Sequence, residues 1–125
     1  MTEIKWLSEP EEHDYPAAIS FLNLLFKESK SNNLVACMRK ENISYFKAKD
    51  IVRAANLPML NIDNRHVAKN LNKISAGKSI SPVLLVRCDG DKLIISDGYH
   101  RCCAVYLYSE DAIVPCKIVD IENGD

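Results

Sequence analysis

A small α/β (α+β) domain, a mixed sheet with helices packed on it and a helical extension at its N-terminal end, is what this chain of 125 residues predicts. Three observations carry that expectation. A nearly continuous apolar run at residues 82–88 suits a strand covered on both faces. A short turn and a second apolar run follow it directly. From Tyr99 the spacing then switches to helical, and by Val114 it has returned to strand. The length suits one domain, and 47% hydrophobic with 26% charged residues is ordinary for a globular one.

Residues 1–12 are polar and acidic, and read as a solvated arm docked by Trp6 and Leu7. Tyr15 and Pro16 open a helix, because a proline in the first turn gives up an N–H that has no helical partner. Ala18, Phe21, Leu22 and Leu25 follow as its apolar seam. A second helix is expected around Leu34, Val35 and Met38. Residues 43–48 alternate and are rich in β-formers, which predicts a strand. Lys49 and Asp50 lead into a short helix at 51–56, with Asp50 as its cap and Pro58 preventing its continuation. The next helix has Asp63 or Asn64 as cap, Val67, Leu71 and Ile74 as seam, and Gly77 as its end. Asp89-Gly90 reads as a hairpin turn between the run at 82–88 and a return strand at 92–96. A helix from Tyr99 to Tyr108 and a strand at 114–119 close the order, the strand placed at a sheet edge because of Pro115. The arm and helical extension thus occupy 1–42 and the sheet-bearing domain 43–120, packed together as one globular unit.

Charge limits the partners. Sixteen Lys and Arg face 17 Asp and Glu, a net charge of -1. Duplex DNA binders carry a basic face that displaces counterions from phosphates, so duplex DNA binding is not expected, although a local basic patch is compatible with this balance. No apolar stretch approaches the roughly 20 residues a membrane span needs. The acidic N-terminus is unlike a secretory signal, and a cytoplasmic location follows. Cys37, Cys88, Cys102, Cys103 and Cys116 are odd in number and include no Cys-x-x-Cys, which suits reduced thiols better than disulfides or zinc.

Chemistry concentrates at Asp97-Gly98-Tyr99-His100-Arg101, where a strand feeds a helix. A helix start offers unpaired N–H groups and the positive end of the dipole, a natural anion site. His100 adds a titratable cation there, and Arg101 a fixed one with a geometry suited to phosphate oxygens. The bland alternative is that His100 and Arg101 merely pair with Asp97 or a carboxylate of the arm. His66, Lys69 and Lys73 fall at spacings of three and four, on one face of the preceding helix.

The box Asp97-Gly98-Tyr99-His100-Arg101-Cys102-Cys103-Ala104, with its flanking strands and the approach from Gly77 to Pro82, resembles the ParB/sulfiredoxin-like superfamily, in the form of the ParB-like nuclease domain. The resemblance covers roughly residues 43–120. It implies a nucleotide such as ATP, with Mg²⁺, bound through Gly98, Tyr99, His100 and Arg101 and, from the preceding helix, His66, Lys69 and Lys73. Asp97, His100 and Arg101 would then be the catalytic set: Arg101 stabilising developing charge, His100 contacting phosphate or relaying a proton, and Asp97 orienting them or helping to hold metal. Two departures narrow the activity. Sulfiredoxins carry their catalytic cysteine where Tyr99 stands, so sulfinic-acid reduction is not expected. Partitioning ParB proteins continue into a helix-turn-helix region, and this chain stops at Asp125, so partition-site binding is not expected either. A nucleotide-dependent phosphotransferase or hydrolase acting on a small molecule or protein is the leading expectation. The alternative is a non-catalytic nucleotide-sensing or protein-interaction module, and a nuclease is the weakest reading. Cys102, near a helix start, is a candidate reactive thiol; its bland reading is a core filler.

Overall fold

The structure is a computed structural model that describes residues 3–125; Met1 and Thr2 of the expected arm lie outside the described residues. Its elements run α1 (Asp14–Leu22), α2 (Glu28–Lys40), β1 (Ser44–Lys47), α3 (Ala48–Ala55), α4 (Arg65–Ser75), β2 (Val83–Arg87), β3 (Ile94–Asp97), α5 (Tyr99–Tyr108), β4 (Ile113–Asp120) and a 3-10 turn over Ile121–Gly124. The strands form one mixed sheet in the order β1-β4-β2-β3, with β2 and β4 parallel and the outer pairs antiparallel.

Strand periodicity divides the core into two layers. On β2, Val83 and Leu85 join α3, α4 and α5 on one face, while Leu84 and Val86 join α1 and α2 on the other. The expected N-terminal extension therefore supplies one whole helical layer. The fold is α+β, with five helices on a four-stranded sheet.

Several expectations move. In the α1 seam Tyr15, Ala18 and Leu22 are buried, but Phe21 is exposed and Leu25 lies exposed beyond the helix end. Asp50 does not cap α3: Lys47 holds that position, and Asp50 sits inside the first turn, 3.1 Å from Arg53 Nη2. The strand predicted at an edge, β4, is central. Pro115 is tolerated because the parallel ladder with β2 begins one residue later, at Cys116, so no bond to β2 is lost at the proline.

Between β2 and β3 only Gly90 of the expected two-residue turn has a positive φ, and the connection extends from Cys88 to Leu93. The arm docks as expected: Trp6 bridges Ile80, whose carbonyl accepts from Leu7 N at 2.9 Å. No helix among the described residues is long and apolar enough to cross a membrane.

Candidate functional site

The junction forms as the sequence predicts. β3 ends at Asp97, Gly98 turns the chain, and α5 begins at Tyr99. Gly98 has φ +111°, which L side chains rarely adopt, and a Cβ there would collide with Val83. The same bare backbone lets the Arg101 guanidinium lie close over it. No side chain of the described residues caps α5, so the N–H groups of its first turn have no side-chain acceptor. At α4 the cap is Asn64, whose Oδ1 accepts from the backbone N–H of His66 at 2.9 Å and of Val67 at 3.1 Å.

Packing of α4 on α5 brings His66 and His100 together, with ring centroids 4.9 Å apart. The Tyr99 ring lies 5.4 Å from His100, and its hydroxyl donates to the Pro58 carbonyl. Burial, reinforced by the neighbouring His66, pushes the His100 imidazole below its usual pKa. Near neutral pH His100 is therefore mainly uncharged, and protonating it would favour an anion.

Arg101 faces the other way. Its Nη2 lies 3.0 Å from Asp97 Oδ2, 3.7 Å from Asp14 Oδ2 and 3.3 Å from the Pro82 carbonyl. Ser81 Oγ donates to Asp14 Oδ2 and itself accepts from the Glu11 backbone N–H at 3.1 Å. The guanidinium is thus an internal strut joining the junction to α1 and the arm. Two carboxylates and a carbonyl hold the Nη2 end, so the expected contact of Arg101 with phosphate competes with this internal pairing.

Asp97 shares this pairing. Burial raises its carboxyl pKa, Arg101 pulls the other way, and the nearby Asp14 adds to the rise. The Asp97 carboxylate is engaged with Arg101, and the described residues contain no group of three or more His, Cys, Asp or Glu suited to a metal. Mg²⁺ is ordinarily held by one or two carboxylates together with substrate phosphates rather than by an all-protein cage.

The second expected set divides. His66 joins His100, whereas Lys69 and Lys73 line an open groove with Arg65 and Lys78 on the adjoining face of α4. Lys47 and Lys49 pair with Asp111, at 3.7 and 3.2 Å. His13 lies between Glu11 and Asp14. Cys102 is fully buried, and burial pushes its thiol up to about 12, which removes it as a nucleophile and leaves the core-filler reading.

Comparison of the chain with family models, curated proteins and solved structures gives a plain result. None matches. The site is therefore read from its own geometry.

Three buried participants escaped the sequence reading. Asp14 and Ser81 carry no local signal. Lys117 does, because a strand covered on both faces buries its odd and even positions alike. It is 2% exposed, with Nζ 2.9 Å from Glu9 Oε1 and 3.1 Å from the Arg39 carbonyl. Burial alone would lower this ammonium's pKa, but Glu9 and Tyr15 outweigh that and raise it.

Proposed function

We propose that the domain binds the phosphates of a nucleotide at the start of α5, against the backbone N–H groups of the first turn, with His100 and His66 as the side-chain contacts. The observation that carries this reading is the uncapped helix start flanked by two imidazoles whose rings lie 4.9 Å apart. A helix start attracts an anion through its dipole and its unpaired donors, and imidazoles add charge as they protonate. Tyr99, its hydroxyl tied to Pro58, offers a ring face to a base. The resemblance of the junction to ParB/sulfiredoxin-like proteins points to the same ligand class.

Binding has more support than phosphoryl transfer. Transfer needs charge stabilisation and a base, and the two groups expected to assist His100 are occupied with each other. A nucleotide-sensing module is accordingly the favoured form of the reading. Any Mg²⁺ would enter with the nucleotide phosphates.

Isothermal titration with ADP, ATP and CTP, with and without Mg²⁺, tests it. His100→Ala is expected to weaken binding about tenfold, the loss of one charge-assisted contact. Absence of binding by the wild-type protein, or an unchanged affinity in His66→Ala/His100→Ala, would contradict the reading. Phosphate release abolished by His100→Ala would show that the module also turns over.

A further inference from the structure

Residues 64–88 contain no Asp or Glu, although the whole chain carries 17 of them. The structure gathers four cations of this stretch on one surface. Arg65, Lys69, Lys73 and Lys78 line an open groove of about 520 Å³ along α4 and its C-terminal connection. None of the four shares an ion pair with a carboxylate among the described residues. The Lys5 ammonium lies alongside Gly77 at the far end. From Arg65 to Lys73 the row advances about 12 Å, at 1.5 Å per residue. At its near end Arg65 adjoins His66, and with it the cluster of His66, His100 and Tyr99 rings.

We propose that this surface binds a short single-stranded nucleic acid, its phosphates following the α4 cations and its terminal base meeting the ring cluster. Single-strand sites combine a cationic groove with aromatic faces on which bases stack; here the groove and the rings meet at the consecutive residues Arg65 and His66. The rings separate this ligand from an acidic peptide, which would use the cations alone. Three cations of one helix and a fourth just beyond it, on a chain of net charge -1, do not supply the encircling basic surface of a duplex binder. The inference draws on the nucleotide reading only for where the strand ends; the groove carries the rest.

Fluorescence anisotropy with 3′-labelled, 5′-phosphorylated oligouridylates of one to ten nucleotides tests it, with duplex RNA and polyglutamate of equal charge as competitors. Affinity is expected to rise at least tenfold from the mononucleotide to the octanucleotide. For about three neutralised phosphates, the log-affinity against log-salt slope should be about -2, at roughly 0.7 per contact. Lys73→Ala/Lys78→Ala, exposed substitutions whose folding circular dichroism checks, should make the slope shallower by about 1.4. Affinity independent of length would overturn the proposal, as would polyglutamate or duplex competing as well as the octamer. Mononucleotide binding with no gain from length would remove the groove alone and leave the α5 site standing. A gain with length but no mononucleotide binding would do the reverse.

Discussion

Truncating Arg101 would leave Asp97 and Asp14 facing each other without the guanidinium that lies 3.0 and 3.7 Å from them. Asp14 is 3% exposed and would keep only Ser81 and His13 as side-chain donors among those described. Breaking a buried ion pair from one side typically costs 3–5 kcal/mol, and Arg101→Ala is expected to lose about that much in urea unfolding. A cost below about 1 kcal/mol would mean that the strut is slack. Asp97 gives the same network a pH signature. Its pKa is raised in the fold, so its stabilising contribution is complete below the unfolded carboxylate value of about 3.9 and is lost as pH rises through the folded value. The melting temperature of wild type relative to Asp97→Asn should therefore fall as pH rises from 4; a difference that grows instead would reverse the sign of the assigned shift. The pairing of Arg101 with Asp97 was legible as the bland alternative at the junction; the parts of Asp14 and Ser81 were not, because they join it only through tertiary packing. What could be read was local: a glycine between an apolar strand and a helical pattern fixes the turn at Gly98 and the start of α5.

Within β4, two residues looked out of place and have different explanations. Pro115 suggested an edge strand, since a missing N–H is cheapest there. The strand is instead central, and its ladder to β2 simply begins after the proline. Lys117 is a lone charge in an apolar stretch, and it is enclosed beneath α1, α2 and the arm. Its ammonium meets the Arg39 carbonyl in the last turn of α2, where a cation is favoured by the helix dipole. Its partner Glu9 is largely exposed and would rehydrate if the ammonium were removed. Lys117→Met, which keeps the volume, is therefore expected to stay within about 1.5 kcal/mol of wild type. Lys117→Ala opens a cavity and should cost about 2–5 kcal/mol. Equal losses in the two variants would assign the stability to the ammonium rather than to its packing. For the helices, seams with long apolar periodicity, as in α4, were legible; the end of α1 was not, because Phe21 and Leu25 have apolar character without a core to face.

Seen as a whole, the molecule separates two kinds of charge. Beneath the arm, Arg101 and Lys117 each hold carboxylates and tie α1 and the N-terminal segment to the sheet. Outside lie the start of α5, the paired imidazoles and the α4 groove, whose four cations share no ion pair with a carboxylate among the described residues. A net charge of -1 hides this division, which is why total composition argued against duplex binding and yet left room for a local anion site. The order of the elements was readable from periodicity, whereas the direction each cation faces depended on packing between distant segments. His13, His66 and His100 are the only histidines, so imidazole resonances can report the outer surface residue by residue. Following them by NMR while ADP is added, at several pH values, is the decisive measurement. The His66 and His100 signals should move together, His100 should titrate at a higher pH once the nucleotide is present, and His13 should stay where it was. If the two paired imidazoles do not respond to saturating ADP, or only His13 does, the start of α5 is not the phosphate site.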